Sequence, residues 1–558
     1  MIGARDAWRA MLGGMMTKRC PGKPSGRFSG AAIFMNSIVL DKHWNVHEFP
    51  SMFHGSNTDL RPNLREAKPT IFNQPQKPMA IITTTASGGE DPVAPSAHHG
   101  GYLWLIAATA ALGGLLFGYD WVVIGGAAPF YEKFFSLANA ADKGWAQSCA
   151  LIGCLVGALM SGGLSDRFGR KRLLFLSAVI FAVSSIGTGM AGSFDSFVIW
   201  RILGGVAIGL ASNLSPMYIA EISPSAMRGR LVSLNQFTIV IGVLLAQLVN
   251  LVIAKQFPQW MGWVTASEEL LAWNQASGWR WMFAITAVPS VLFMLGMLVV
   301  PESPRWLVKN GHPEKASHIL AKIGGGEYAR QVLASIESTL GNETEGKFNF
   351  GALFERKTFK ILMLGIGLAV FQQWCGINVI FNYAGEIFKS AGYSIDDTLE
   401  NIAWTGSVNL VFTVVAMAVV DRLGRRPLML FGAAGLAVIY ALIGYCYHHS
   451  ILGGPVLGLV LGAIGCYAAT LAPVTWVVIS EIFPNRIRGA AMSTAVFFLW
   501  LACFILTYTF PILNEKFGAG NTFWTYAVIC VGGFLLVLFG LPETKGKSLE
   551  QIERDLVD

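Results

Sequence analysis

The sequence predicts an all-α membrane protein: twelve transmembrane helices in two pseudo-symmetric six-helix bundles with a cytoplasmic helical linker between them. Three observations predict it. Only 13% of the 558 residues are charged and 53% are hydrophobic, whereas soluble globular chains are about 25% charged; most of the surface of such a chain must face something other than water. Beyond residue 101 come twelve apolar runs, each near the length of about 20 residues that crosses a bilayer core. A set of motifs also occurs twice, in the same order, on either side of one long polar segment.

Residues 1–100 are rich in Pro, Gly, Ser, Thr, Asn and His and hold no apolar run long enough to span. No basic n-region leads into an h-region there. They are expected to form a disordered cytoplasmic extension, most of which a start at Met79 would remove. The apolar runs follow at about 102–128, 145–165, 172–192, 195–221, 231–254, 279–300, 359–388, 400–420, 427–447, 452–480, 489–513 and 521–541. Glycine is frequent in them, as in GGLLFG (113–118) and LGGVAIG (203–209), and small residues let helices approach closely in lipid. The polar stretch 302–358 reads as short amphipathic helices rich in Lys. The expected domains are an extension (1–100), a first bundle (101–301), a linker (302–358), a second bundle (359–541) and a tail (542–558).

The formal net charge is +7, but the basic residues sit in short loops and form no single patch for nucleic acid. DRFGRKR (166–172), RGR (228–230), DRLGRR (421–426) and NRIRG (485–489) occupy alternate loops, and the intervening loops are poor in Lys and Arg. The positive-inside rule then places both termini in the cytoplasm of a multi-pass protein of the cell membrane, the inner membrane in a Gram-negative source. The longer segment 255–278 falls outside, with Glu268, Glu269 and several Trp. Of the 8 cysteines, all but Cys20 lie in or beside apolar runs with no CxxC pair, so they read as buried thiols that pack as small apolar groups.

The repeat is specific. DRFGRKR (166–172) answers to DRLGRRP (421–427), and AEISPSAMRGR (220–230) to SEIFPNRIRGA (480–490). In both copies of the second motif a Glu precedes Pro by three positions and Arg by seven: Glu221, Pro224 and Arg228, then Glu481, Pro484 and Arg488. PESPRWL (301–307) follows the sixth run and PETKGKSL (542–549) the twelfth. Duplicated halves around a central site are a recurring plan of secondary transporters.

With GGLLFGYD (113–120), RxxGG from Arg201 to Gly205, QQxxGIN (372–378) and PETKG (542–546), the chain over about 101–558 resembles the sugar-porter branch of the major facilitator superfamily. SPMYIAEISP and RGRLVSLNQF (215–237) look especially like the bacterial xylose–proton symporters and the facilitative glucose transporters. The resemblance implies a secondary active transporter that imports a monosaccharide, hexose or pentose, with a proton by alternating access. It implies function as a monomer in a lipid bilayer, and no cofactor. No Walker loop, nucleophile elbow or zinc motif appears in the sequence, which argues against an ATP-driven pump or an enzyme. A proton-independent facilitator and a membrane sugar sensor on the same fold remain as alternatives.

Asp120 and Arg201 are the most informative residues. A charge deep in a membrane helix costs roughly 2.5–3.5 kcal/mol on insertion scales, so a carboxylate there needs a partner or a task. Asp120 stands about 27 Å along its helix at the usual rise per residue, and Arg201 lies in the first third of an antiparallel one, so both fall in the same outer half. In the resembling proton symporters an Asp at this position takes the proton and this Arg pairs with it; the glucose facilitators have Asn. The proposed switch is ionised Asp120 held by Arg201 and released on protonation.

Sugar hydroxyls donate and accept, as amides do. By resemblance the sugar-binding residues are Gln236, Gln372, Gln373, Asn378 and Asn409, with Trp476 and Trp500 against the sugar ring. Gln373 and Asn378 would diverge by roughly 140° on a regular helix, so the helix is expected to unwind between them, at Gly376. Val243, Asn382, Leu499 and Trp121 depart from the family pattern, which leaves the sugar open. The loop charges Asp166, Arg167, Arg170, Glu221 and Arg228, with Asp421, Arg422, Arg425, Glu481 and Arg488, read as a cytoplasmic gate whose ion pairs tune the balance between states.

Overall fold

Apolar chain in lipid has few ways to satisfy its own amides, and the helix is the one that needs no partner strand. Among the described residues every regular element is helical. The computed structural model describes residues 100–558 except 265–266, 344–354, 484–487, 546, 548–550, 553–555 and 557–558. Of the expected extension over 1–100, residues 1–99 lie outside the described residues, and Gly100 begins the first helix.

Before the linker the chain forms α1 (Gly100–Phe134), α2 (Ala140–Phe168), α3 (Arg170–Gly189), α4 (Phe194–Ile222) and α5 (Ser225–Lys255), then the span α6 (Glu269–Val299). The linker is α7 (Pro304–Lys309), α8 (Pro313–Gly324) and α9 (Gly326–Glu343). After it come α10 (Arg356–Trp374), α11 (Ile377–Asn382), α12 (Ala384–Ser390), α13 (Ile395–Leu423), α14 (Arg425–His448), α15 (Gly454–Ala469), α16 (Leu471–Ile482) and α17 (Arg488–Gly540).

Eleven helical segments among the described residues are long and apolar enough to cross a membrane, which makes the chain a multi-pass membrane protein. The last of them covers 51 residues, far more than the 17–25 or so that one crossing takes. Gly518 interrupts it with φ 76 and ψ 162. One expected boundary differs from the structure. The segment 255–278, read as a loop, contains a short helix at Phe257–Trp260, another at Ser267–Trp273 and a π-helical turn at Asn274–Gly278. Its Trp residues explain this: Trp263 lies 5.6 Å from Trp281 and 5.5 Å from Phe257, and that aromatic contact holds the segment down.

Helices α1 and α5 pack together, as do α2 and α4, and α17 packs on α10 and α14. The helices before the linker meet those after it along a seam: α2 on α17, α5 on α13, and α1 on α11 and α12. At the end remote from the linker this seam is tight. A Cβ on Gly125 would stand 2.7 Å from the Phe381 carbonyl oxygen, and one on Gly144 would stand 2.3 Å from that of Tyr508. Lys255 also reaches Glu400 across it at 2.6 Å. Near the linker end, Gly162 and Gly163 of α2 and Gly229 of α5 have nothing within 4 Å of a built Cβ.

Candidate functional site

Asp120 lies on α1 where GGLLFG brings the helix against α5; a Cβ on Gly118 would stand 1.9 Å from the Ile239 carbonyl oxygen. Arg201 lies on α4, which approaches α2 through Gly205 and Gly209. Together these close crossings bring the two side chains into contact. Arg201 Nη1 donates to both carboxylate oxygens of Asp120 at 2.9 Å, and Nη2 to the Asp120 carbonyl at 3.4 Å. The guanidinium also sits 5.3 Å from the centre of the Phe283 ring. Asp120 is 4% exposed and Arg201 3%. A buried charge of either kind would be strongly destabilising if its partner were removed, because the survivor would be left without water.

The second polar cluster lies on the helix after the linker. Gly376 takes φ 86, a left-handed conformation that favours glycine. The helix stops at Trp374 and restarts at Ile377. The break turns Gln373 and Asn378 toward each other, as their spacing predicts: Asn378 Nδ2 donates to Gln373 Oε1. Gln373 Nε2 donates to Gln372 Oε1 at 2.7 Å, and Gln372 Nε2 to the Tyr467 hydroxyl at 2.9 Å. Four side chains on three elements thus form one chain of amides and a phenol. Such a chain both donates and accepts, as a polyol requires of its host.

The other predicted site residues are placed as follows. Gln236 is half-buried on α5, and Asn409 is buried on α13. Trp500 is buried on α17, with ring centres 5.9 Å from Phe117 and 5.9 Å from Trp121. Trp476 lies on α16, beyond a break at Thr470, and is 39% exposed. Sequence reasoning passed over Tyr467, Phe117 and Gln147, and also Gln247, which donates to Thr405 Oγ1 across the seam at 3.0 Å. A lone amide within an otherwise apolar run was the available signal for the two glutamines.

At the linker end the charges form two matching clusters. Glu302 accepts from the amides of Arg170 and Lys171 at 2.9 and 3.0 Å. Glu543 accepts from those of Arg425 and Arg426 at 3.0 and 3.1 Å. Each carboxylate caps the N-terminus of a helix, α3 or α14, where orphan N–H groups and the helix dipole favour an anion. Burial pushes the Glu543 carboxyl up, but amide donors from Lys545, Arg425, Arg426 and Thr544 outweigh it and hold it below the ordinary range. Arg170 pairs with Glu221 at 3.1 Å and with Asp166 at 3.1 Å, and Arg425 pairs with Glu481 at 3.4 Å. Glu221 also accepts from Ser303, and Lys309 of the linker reaches Asp166 at 3.0 Å.

The Arg170–Glu221 and Arg425–Glu481 pairs each stay on one side of the linker in sequence, whereas Lys255–Glu400 joins the two sides at the remote end. Arg167 is exposed over Phe168, and the Arg422 carbonyl accepts from Lys545. Arg228 lines a cleft between α4, α5 and α9 that also holds Glu221, Arg305 and Tyr328. The side chains of Asp421 and Arg488 lie outside the described residues.

Known proteins resemble this chain along most of its length. Residues 106–556 match the family model described as Sugar (and other) transporter. The arabinose-proton symporter of Bacillus subtilis is 40% identical over 82% of this chain and 96% of its own. The D-xylose-proton symporter of Escherichia coli is 38% identical over 82% of this chain and 96% of its own. Among solved structures, the inward open conformation of the xylose transporter XylE from E. coli has a TM-score of 0.71 at 37% identity. It covers 81% of this chain and 99% of that one.

Proposed function

The chain belongs to the sugar-porter family, and on that premise we propose that it imports a monosaccharide, a pentose or hexose, together with a proton. It acts as a carrier by alternating access and catalyses no covalent step. The observation that carries the coupled reading is the buried carboxylate of Asp120, bonded at 2.9 Å to Arg201 inside the span. Asp120 takes the proton and Arg201 holds it in the deprotonated state. Gln236, Gln372, Gln373, Asn378 and Asn409 hold the sugar hydroxyls, and Trp500 and Trp476 face its ring. The relatives known as arabinose- and D-xylose-proton symporters support the same cargo class.

The architecture we propose is twelve spans, counting the helices on either side of Gly518 separately, in two bundles of six joined by the linker. The linker end is cytoplasmic, since the Arg-rich loops lie there. The tight remote seam and the uncontacted glycines near the linker end fit a state open to the cytoplasm. In this state the loop charges pair within their own bundle, and they pair across bundles when the inner ends close.

Energetically the coupling is adequate: one charge moving through 100 mV releases about 2.3 kcal/mol, enough for roughly 50-fold accumulation. The test is labelled-sugar uptake into proteoliposomes across a sugar panel, with and without an imposed proton gradient. Accumulation that ignores the gradient would leave facilitated diffusion as the activity.

A further inference from the structure

Gln147 lies on α2, 3% exposed, and neither its amide oxygen nor its amide nitrogen has a protein partner. Arg201 Nε and Asn382 Oδ1 are likewise unpartnered. All three residues line one small cavity, closed by Trp121 and otherwise apolar side chains such as Ile124 and Ile208. A buried polar group without a partner costs about 1–3 kcal/mol, and three residues that carry such groups and line one cavity are a pattern that a bound water resolves. Buried waters make about three hydrogen bonds. A water held here would accept from Arg201 Nε–H and Gln147 Nε2–H and donate to Asn382 Oδ1. Asn382 is one helical turn from Asn378 on α11, so the cavity joins the carboxylate pair to the amide chain across the seam.

We propose that Gln147 is a positioning residue that holds this water, and that the water ties the protonation of Asp120 to the helix bearing the sugar-binding amides. The inference rests on the symport reading above and assigns the link between its two sites. By accepting from Arg201 the water disperses the guanidinium charge. Without it Arg201 grips the carboxylate more tightly, and Asp120 gives up that grip only at lower pH. The ionisable groups facing the pair are Tyr119 and Tyr131 on α1 and Cys149 and Cys154 on α2. None of these is altered by a change at Gln147.

The experiment uses the full chain in proteoliposomes and two readouts, proton-driven uptake against pH and sugar counterflow without a gradient. Gln147→Leu and Gln147→Met keep the volume and remove the amide. The expected result is a midpoint of pH-dependent uptake shifted to acid by about one unit, the size of one lost hydrogen bond to a charged group. Counterflow stays within about twofold, and Gln147→Asn restores part of the midpoint. An unchanged midpoint in both variants overturns the proposal. So does loss of counterflow in both, since Gln147 would then be needed for movement itself. A wild-type protein with no pH-dependent accumulation sinks the symport reading, and this inference with it. That outcome is distinct from a wild-type response that Gln147 does not alter.

Discussion

The stretches before and after the linker carry the same charged cap and bury different chemistry. In the first, Gly169 at φ 94 leads into α3, and Glu302 binds its first two amides. In the second, Gly424 at φ 91 leads into α14, and Glu543 does the same. Even the third contact recurs: Lys171 Nζ donates to the Leu298 carbonyl, and an Arg426 guanidinium nitrogen to that of Leu538. Deeper in, the likeness ends. The first stretch buries an ion pair, Asp120–Arg201, and the second holds neutral amides, the buried Gln372 and Gln373 and the half-buried Asn378. The two stretches thus share the geometry of their helix caps and differ in the polar groups they hold deeper in, an ion pair in one and amides in the other. A charge is costly in hydrocarbon and needs one dedicated partner, whereas a neutral amide network can trade partners with a ligand at little electrostatic cost.

The largest expected effect removes the carboxylate from the first stretch. Asp120→Asn leaves that site without its ionisable acid while keeping the shape of the side chain, with Arg201 the remaining charge of the pair. Proton-driven accumulation should fall from roughly 50-fold at 100 mV to unity, while counterflow persists; retained accumulation in vesicles would rule out this carboxylate. Next is Gln373→Ala, which cuts the amide chain in its middle. Leaving its neighbours unpartnered costs roughly 2 kcal/mol, so the KM for sugar should rise about 30-fold with the pH midpoint unmoved. A shift in the midpoint instead would show that the two stretches do not divide the work.

Gly376→Ala attacks the break that assembles the amides. A side chain at φ 86 costs about 1–2 kcal/mol, and the added Cβ would lie 3.0 Å from the Tyr526 ring. Thermal melting in detergent should drop by a few degrees, with a KM increase of several-fold. The smallest effects test the likeness. Glu302→Gln and Glu543→Gln should each cost under about 1 kcal/mol, as for a surface anion at a helix N-terminus, and by similar amounts. Because the Glu543 carboxyl is depressed in the fold, its contribution is present above the ordinary carboxylate range near 4.3. It is lost as pH falls through the lower folded value, and Glu543→Gln should flatten that part of a melting-versus-pH curve.

Much of this protein was legible in one dimension. Lipid demands helices of a set length, so the runs after residue 101 marked the spans. A spacing of five positions from Gln373 to Asn378, with a glycine inside, pointed to a break, because helical geometry is fixed at about 100° per residue. The pairing of Asp120 with Arg201 followed from depth, since antiparallel helices place both in one half of the bilayer. Other features were decided only by packing. That Arg170 pairs with Glu221 and Arg425 with Glu481, while Lys255–Glu400 bridges the remote seam, is visible only in the tertiary structure. Gln147, Arg201 and Asn382 come from three separate elements, and no spacing along the chain records that they line one cavity. Local periodicity is written in the sequence, but the meeting of helices distant in the chain is set by the summed fit of many small contacts.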